Sequence, residues 1–329
     1  MCVFHQPSYI ILLKLLMNSI FTKSNINKQT THILIMTSCL FQPYINREME
    51  TYGFPIKYYL LNLHSLFEAG CARLNIFNYR DVDKYEKILY LDTDILINSD
   101  INILFNMDLN PEKLYALKEG NIGHEYWGSQ FFDFTEYDKD QPAFTSGILL
   151  FTPSDAMKSL FDTVWRHIIE YLHRKCYTIP ICLDQPFIVY NAIMQNKYDN
   201  QLLESYVENN PAVAKPEKII YHFPGNPGAY KTKFAKMSDF WRKMNLPTIE
   251  NKKYSWENGH ITFLENGLMD AFGSGTYMQI DKYTFRAFFG GRLHTIVFNA
   301  DYTEFVSTRK DDNQIVEGKQ VEINHINIY

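Results

Sequence analysis

Residues 88–94, Ile88-Leu89-Tyr90-Leu91-Asp92-Thr93-Asp94, join an apolar run to two acidic residues. The continuous apolar run predicts a strand that is buried on both faces. The two carboxylates stand one residue apart on extended backbone, so they project to the same side. Neighbouring carboxylates repel each other, and a hard divalent cation relieves that repulsion. The segment therefore predicts a metal site at the end of a buried strand, with a solvated turn as the alternative.

Strand and helix signals alternate through the first 110 residues. Strands that alternate with helices of about 10–15 residues imply βαβ units and a mostly parallel sheet flanked by helices. Ligands bind such sheets beyond the carboxyl ends of the strands, which is where Asp92 and Asp94 are expected. The predicted class is therefore α/β. The predicted strands are 3–4, 32–37, 55–60 and 87–91, and the predicted helices are 8–22, 43–52 and 65–79.

The chain changes character near residue 249. Before it, strands are predicted at 114–117, 146–152 and 218–223, and helices at 154–174 and 184–193. After it, short alternating strands are separated by Gly and Asn, without helical periodicity. We therefore expect two domains, an α/β domain at 1–248 and a small antiparallel β module at 249–329. A module this small needs most of its aromatic residues inside. The expected core residues are Trp256, Tyr277, Phe285, Phe288 and Phe289.

Composition and charge exclude several classes of protein. The net charge is −5 and no long basic run is present, so nucleic acid is not an expected partner. Five scattered cysteines without a Cys-x-x-Cys pair give no disulfide framework. The apolar run Tyr9–Met17 is interrupted by Lys14 and is shorter than the roughly 20 residues of a membrane span. Without a signal peptide or membrane span we expect a cytoplasmic location. The start on a strand is typical of a domain trimmed from a longer protein.

Five segments in order resemble glycosyltransferase family 8, the glycogenin and lipopolysaccharide galactosyltransferase type. One such motif would be weak evidence for the family, but five motifs in the family's order over roughly residues 1–245 are specific evidence. In chain order they are Ala72-Arg73-Leu74, residues 87–94 followed by Asn98-Ser99-Asp100-Ile101, Phe144-Thr145-Ser146-Gly147-Ile148-Leu149-Leu150, Leu183-Asp184-Gln185-Pro186, and Tyr221-His222-Phe223-Pro224-Gly225.

The resemblance implies a fold, a donor and a metal. It implies the GT-A fold, a Rossmann-like α/β arrangement, and a nucleotide-sugar donor that is commonly a UDP-sugar. It also implies Mn²⁺, with Mg²⁺ as an alternative, held by Asp92, Asp94 and His222. The residue types agree, because a neutral imidazole is an acceptable third ligand for Mn²⁺. His222 also ends a predicted strand before a Pro/Gly turn, although a lone histidine there is more often structural.

The resemblance also assigns contacts to the nucleotide. Arg73 lies one strand upstream of the aspartates, and a guanidinium suits bidentate contact with phosphate; a surface ion pair is the alternative. Tyr9 is similar to the tyrosine that stacks on the base, with an ordinary helix-face tyrosine as the alternative. Gln6 is expected at the same base edge. Thr93 and Gly225, which lie inside the matching motifs, are expected to contact the nucleotide.

The catalytic assignments fall on Asp184 and Gln185. Family 8 enzymes retain the anomeric configuration, and the resemblance implies that Asp184 binds sugar hydroxyls. Gln185 would lie on the face of the sugar opposite the leaving group. Neither is a strong nucleophile, so a front-face mechanism is expected, in which the leaving phosphate assists deprotonation of the acceptor. A helix N-cap by Asp184, with Gln185 exposed, is the structural alternative.

The chain departs from the family pattern at two places. The family's asparagine before Ser146 is Thr145 here, which replaces an amide by a hydroxyl beside the substrate. The lysine that follows the His-Phe-x-Gly motif is displaced by three positions, to Lys231. Either Lys231 reaches the diphosphate through a changed loop, or the contact is lost. The donor sugar is therefore left open.

The overall prediction is a retaining hexosyltransferase that uses a UDP-sugar and a hydroxyl acceptor, either a glycan or a glycosylated protein, including a collagen-like one. The aromatic loop 119–140 suits an acceptor platform or a lid over the donor. One rival is a sugar-nucleotidyltransferase, but His5-Gln6-Pro7-Ser8 is no triphosphate loop. The other is a non-catalytic carbohydrate-binding protein, against which the intact Asp92, Asp94 and His222 argue.

Overall fold

Two units make up the chain, residues 1–241 and residues 242–329. The structure is a computed structural model that describes residues 8–225, 230–245, 249–264, 267–279 and 283–321. The boundary between the units falls inside a helix that the sequence did not predict, a few residues before the expected boundary at 248/249. The predicted strand at 3–4 lies outside the described residues.

The first unit alternates helices and strands, as an α/β fold requires. The helices are α1 (Ser8–Lys23), α2 (Gln42–Met49), α3 (Leu66–Cys71), α4 (Asn102–Phe105), α5 (Asp155–Arg174), α6 (Gln185–Met194) and α7 (Tyr230–Asn245), the last of which crosses the unit boundary. The strands are β1 (Ile33–Thr37), β2 (Ile56–Leu60), β3 (Ile88–Leu91), β4 (Ile95–Ile97), β5 (Leu114–Asn121), β6 (Pro142–Phe151), β7 (Tyr198–Asp199), β8 (Val207–Asn209) and β9 (Ile220–His222). Among the described residues, no helix combines the length and apolarity that a membrane crossing needs.

The sheets of this unit are mixed rather than mostly parallel. Parallel pairs join β1 to β2, β5 to β7, and β8 to β9. Strand β6 runs antiparallel to both β3 and β5, and β9 runs antiparallel to β4. Parallel neighbours need a crossover connection, whereas antiparallel neighbours do not. The segment between β5 and β6 holds only two three-residue 3₁₀ turns, so no crossover helix is available there. The predicted α/β class is confirmed, with a mixed sheet order.

Strand β6 is the centre of this unit. Nine of its ten residues are buried. Leu149 and Phe151 pack into one hydrophobic cluster, with α5 and α6, while Ile148 and Leu150 pack into another, with α1 and β4. Because successive side chains of a strand point to opposite faces, this alternation shows that β6 is covered on both sides. Its middle, residues 145–147, is thereby held in a fixed position at the site.

The second unit confirms the predicted antiparallel β module. Its strands, β10 (Lys252–Trp256), β11 (Gly259–Phe263), β12 (Leu268–Asp270), β13 (Ser274–Gln279), β14 (Thr284–Phe289), β15 (Arg292–Phe298), β16 (Glu304–Arg309) and β17 (Ile315–Lys319), form one sheet in sequence order. Tyr254 in β10 bridges to Gln320, just after β17, so the last strand returns to the first. Closure of this kind removes exposed strand edges.

The interior of the module is aromatic, as expected for its size. Trp256, Phe285 and Phe289 are buried, and Tyr277 is half-buried with its hydroxyl donating to the carbonyl of Leu264. Phe288 contradicts the prediction, because it is 52% exposed. It stands between Phe285 and Phe289 in a strand whose buried side chains alternate, and its parity places it on the outer face.

Candidate active site

Three side chains meet where β3, β4 and β9 end or begin. Asp92 and Asp94 lie in the short connection between β3 and β4, and His222 is the last residue of β9. The antiparallel register of β4 and β9 sets His222 opposite Ile95, so its ring lies beside Asp94. One ligand atom from each of the three residues lies within 4.8 Å of the others. The structure thus brings together the three residues that the sequence singled out.

Asp94 is buried between a lysine and a histidine. Its Oδ2 is 2.5 Å from Lys233 Nζ, and its Oδ1 is 3.7 Å from His222 Nε2. Burial alone would raise the pKa of the Asp94 carboxyl, but Lys233 and His222 outweigh burial and hold the pKa below its ordinary value. Asp94 Oδ1 has no hydrogen-bond partner among the described residues. A buried carboxylate oxygen without a partner is costly, so this atom is open to a further ligand.

The lysine beside Asp94 is Lys233 rather than Lys231. Both lie in the first turn of α7, and Lys231 is exposed. A helix turns about 100° per residue, so side chains two residues apart point to nearly opposite sides. Helix α7 therefore directs Lys233 to the aspartates and Lys231 away from them.

Gly147 leaves space for the side chains of His222 and Asp92. A Cβ atom built on it would lie 2.8 Å from both Cε1 and Nε2 of His222 and 3.2 Å from Asp92 Oδ2. Its carbonyl also accepts a hydrogen bond from the backbone N–H of Asp92, at 2.8 Å. The glycine in the Ser-Gly pair of β6 is thus explained by its close approach to His222.

Arg73 ties two carboxylates to strand β6. It lies in a 3₁₀ turn after α3, whose start is fixed by a capping box between Ser65 and Glu68. Its guanidinium donates to the carbonyl of Ser146, with Nε 3.0 Å from Asp184 Oδ2 and one terminal nitrogen 3.6 Å from Asp92 Oδ1. The buried arginine therefore contacts both Asp92 and Asp184.

The two residues at the start of α6 are held by different partners. Asp184 occupies the N-cap position but makes no side-chain capping bond, so the structural alternative for it does not hold. Gln185 Oε1 accepts from the backbone N–H of Ser146 at 3.0 Å, and its Nε2 donates to the carbonyl of Tyr126 at 3.2 Å. The Gln185 side chain thus links β6 to the 119–140 loop.

Asp184 should give the protein a distinctive pH dependence. Burial raises the pKa of its carboxyl to about 6, while Arg73 opposes that rise. A group whose pKa is raised on folding contributes stability below its unfolded pKa, and that stability is lost as the pH rises through the folded value. An asparagine at position 184 cannot ionise. The free energy of unfolding of Asp184→Asn, relative to wild type, should therefore rise between about pH 4 and pH 7, by up to about 3 kcal/mol. Urea unfolding of both proteins at the two pH values measures this, and a relative loss for the variant would contradict it.

A cavity of about 370 Å³ joins these groups. Its wall includes the group of Asp92, Asp94 and His222, together with Arg73, Asp184, Gln185 and Lys233. The other predicted site residues in the wall are Tyr9, Thr93, Thr145, Ser146 and Gly225. Gln6 lies outside the described residues. The predicted site residues that can be located, except Lys231, therefore face one cavity.

Comparison with known proteins identifies the family. The sequence model of glycosyl transferase family 8 matches residues 11–200, more than half of the chain. The chain belongs to glycosyl transferase family 8. No curated protein sequence matches it.

Among solved structures, the chain is similar at low identity to three glycosyltransferases. One is the WbbM bifunctional glycosyltransferase, with 15% identity and a TM-score of 0.48; the match covers 74% of this chain and 50% of that chain. Another is mouse xyloside xylosyltransferase 1, with 12% identity and a TM-score of 0.49; the match covers 69% of this chain and 97% of that chain. The third is the galactosyltransferase LgtC, solved with donor and acceptor sugar analogues, with 15% identity and a TM-score of 0.45. The match covers 74% of this chain and 99% of that chain. The match spans half the length of WbbM.

The 119–140 loop of the family 8 chain forms an aromatic wall of the cavity. Tyr126 and Trp127 line it, and the rings of His124, Tyr126 and Trp127 pack edge to face or tilted on one another. Trp127 lies on the backbone of Gly120, whose φ of +59° suits glycine. The buried Nε1 of Trp127 has no hydrogen-bond partner among the described residues. An indole N–H of this kind can donate to a ligand oxygen.

Two polar residues of the site, Glu119 and Asn209, were missed from the sequence. Asn209 Oδ1 is 2.8 Å from His222 Nδ1, and Asn209 Nδ2 donates to Glu119 Oε1 at 3.0 Å. Burial raises the pKa of the Glu119 carboxyl, while His222 and the Thr145 hydroxyl that binds it oppose the rise. No local sequence signal marks this pair, because Glu119 and Asn209 are 90 residues apart.

Proposed function

We propose that the chain is a metal-dependent, retaining glycosyltransferase that moves a hexose from a UDP-sugar to a hydroxyl of a glycan or glycosylated protein. The observation that carries the proposal is the Asp92–Asp94–His222 group in the wall of the 370 Å³ cavity. Family membership supports the reaction class. A collagen-like protein is one acceptor within this proposal.

The donor atoms of the trio fit a divalent cation. Two carboxylates and an imidazole are ligands that Mn²⁺ and Mg²⁺ accept, with Mn²⁺ better suited to nitrogen. Asp94 Oδ1, which has no partner among the described residues, and His222 Nε2 are 3.7 Å apart, as two ligands of one ion can be. When bound, the cation supplies Lewis-acid stabilisation of the diphosphate leaving group.

The remaining side chains divide the work of binding and orientation. Lys233 and Arg73 are cationic side chains beside the aspartates, and Lys233 is proposed to bind a diphosphate oxygen. Tyr9 is proposed to stack on the base, with Thr93 and Gly225 against the nucleotide. Asp184, Thr145 and Ser146 are proposed to bind sugar hydroxyls. In transfer, the bond from the anomeric carbon to UDP breaks, a bond to the acceptor oxygen forms on the same face, and the acceptor proton passes to the leaving phosphate.

Gln185 has a supporting role in this proposal. Its Oε1 already accepts a bond from Ser146, and an amide is a poor nucleophile. This supports front-face transfer over a covalent intermediate on Gln185, with the carboxamide stabilising positive charge on the sugar ring.

The proposal is tested with a donor panel. The purified chain is incubated with Mn²⁺ and UDP-glucose, UDP-galactose or UDP-N-acetylglucosamine, and UDP release is followed. At least one donor should release UDP, and the sugar product should keep the donor's anomeric configuration by NMR. Release of pyrophosphate from a nucleoside triphosphate and sugar phosphate, with no UDP released, would favour the nucleotidyltransferase instead.

Substitution of the two lysines of α7 separates Lys233 from Lys231. Lys233→Met should weaken UDP binding about 10- to 100-fold, because a charge-assisted hydrogen bond contributes about 1.5–3 kcal/mol. Lys231→Met is the matched control on the exposed side of the same turn, and it should change binding less than about threefold. Calorimetric titration of UDP in the presence of Mn²⁺ measures both, and the reverse order would restore Lys231 as the diphosphate ligand.

A further inference from the structure

His222 is held by a polar chain that lies behind the metal site. Strands β8 and β9 are parallel, and their register sets Asn209 opposite His222. His222 is 3% exposed, and its Nδ1 is 2.8 Å from Asn209 Oδ1. Asn209 Nδ2 donates in turn to Glu119 Oε1 at 3.0 Å. The chain therefore runs from a carboxylate on β5, through an amide on β8, to the imidazole on β9.

The chemistry of the three groups allows one arrangement of protons. The nitrogen of the Asn209 amide faces Glu119, because its Nδ2 donates to the Oε1 of that carboxyl group. The oxygen of the same amide then faces His222 and only accepts. Nδ1 of His222 must therefore carry the proton, and in the neutral ring Nε2 carries the lone pair. Nε2 is the atom that faces Asp94 Oδ1.

Thr145 holds the far end of this chain. Its hydroxyl accepts the backbone N–H of Gly147 at 3.3 Å, and it opposes the rise in the pKa of the Glu119 carboxyl. A hydroxyl that accepts from an N–H donates its own proton to the carboxylate. Glu119 thus interacts with Asn209 on β8 and with Thr145 on β6.

We propose that Glu119 and Asn209 are positioning residues that fix the tautomer and orientation of His222 so that Nε2 is presented as a metal ligand. Partners of this kind usually raise the metal affinity of a histidine by 10- to 100-fold. The proposal rests on the metal site of the proposed function. The tautomer itself exists without metal, so it can be measured separately.

A second Asn–His pair in the same unit provides a matched control. Asn191 Nδ2 donates to the carbonyl of Phe187 at 2.8 Å and lies 3.0 Å from His167 Nδ1. Because Asn191 presents its nitrogen, His167 must accept at Nδ1 and carry its proton on Nε2. The two pairs therefore predict opposite tautomers in one molecule.

The experiment reads the histidine tautomers by long-range ¹H–¹⁵N correlation NMR in the metal-free protein. Signals are assigned with His222→Gln and His167→Gln. Wild type should show His222 protonated on Nδ1 and His167 on Nε2. Asn209→Ala should allow both tautomers of His222, and Glu119→Gln, which keeps the side-chain volume, should do so partially. Asn191→Ala should alter His167 and leave His222 unchanged.

Mn²⁺ affinity is then measured on the same proteins by EPR titration. Asn209→Ala should weaken binding 10- to 100-fold, Glu119→Gln less, and Asn191→Ala less than about twofold. Wild-type His222 protonated on Nε2, or an Asn209→Ala protein with unchanged tautomer and affinity, would overturn the inference. If His222 carries its proton on Nδ1 but wild type binds no Mn²⁺, the tautomer assignment stands and the proposed function fails.

Discussion

Asp94→Asn is expected to lower Mn²⁺-dependent UDP release at least about 100-fold, the usual scale for removing one charge-stabilising group from an active site. Asparagine keeps the shape of the side chain but removes its negative charge. It leaves His222 Nε2 without its carboxylate neighbour and Lys233 Nζ without its 2.5 Å partner. A buried lysine that loses its counter-ion also destabilises the fold, by a few kcal/mol. Activity is therefore compared only at temperatures where the variant is folded by circular dichroism.

Asp100→Asn is the matched control for this substitution. Asp100 lies six residues further along the same segment, where its Oδ1 accepts the backbone N–H of Asn102 at 3.1 Å. It lies outside the wall of the 370 Å³ cavity. The control should keep wild-type turnover within about twofold. Equal turnover in Asp94→Asn and Asp100→Asn would remove the role given to Asp94.

Gly147→Ala is expected to eliminate Mn²⁺ binding while the protein still folds. The added Cβ would lie 2.8 Å from His222 Nε2 and 3.2 Å from Asp92 Oδ2, which is inside the space that a cation needs. The ring cannot move easily, because Asn209 holds its other nitrogen. Overpacking of this kind costs about 1–3 kcal/mol of stability, which a domain of this size can absorb.

The Gly147 substitution is measured in two ways. EPR titration gives the Mn²⁺ affinity, and urea unfolding gives the stability of the metal-free protein. A loss of at least about 100-fold in affinity with a modest loss of stability is the expected pair of results. Binding within threefold of wild type would show that the ring relaxes and that the close approach of Gly147 to His222 has no effect on the metal.

Much of the first unit could be predicted from local pattern. The helices at 8–23 and 155–174 and the strand at 88–91 follow from apolar periodicity and from signals such as the Ser154 cap, whose side chain accepts from Met157 N–H. Helix α7 was missed, although Met237, Phe240 and Trp241 have helical spacing. The position of Lys233 beside Asp94 could not be predicted without this helix, because the direction of a side chain on a helix depends on where the helix lies.

The contacts between distant segments could not be predicted from pattern alone. The register of β4 against β9 places His222 beside Asp94, and the register of β8 against β9 places Asn209 behind His222. Pairings of this kind depend on tertiary packing, and no local propensity encodes them. Strands β4 and β9 are more than 100 residues apart in the sequence. Asp92 and Asp94 were identified from the carboxylate pair after a buried strand, and His222 from the family motif that contains it. Glu119 and Asn209 belong to no quoted motif and required the structure.

The central claim is that Asp92, Asp94 and His222 bind a divalent cation needed for nucleotide-sugar cleavage. The most direct test follows UDP release from the preferred UDP-sugar in wild type, Asp92→Ala and Asp94→Ala, first with EDTA and then with increasing Mn²⁺. Wild type should be inactive in EDTA and recover with Mn²⁺, while neither variant recovers at concentrations that saturate wild type. Wild-type turnover in either variant, or full activity of the wild type in EDTA, would contradict the claim.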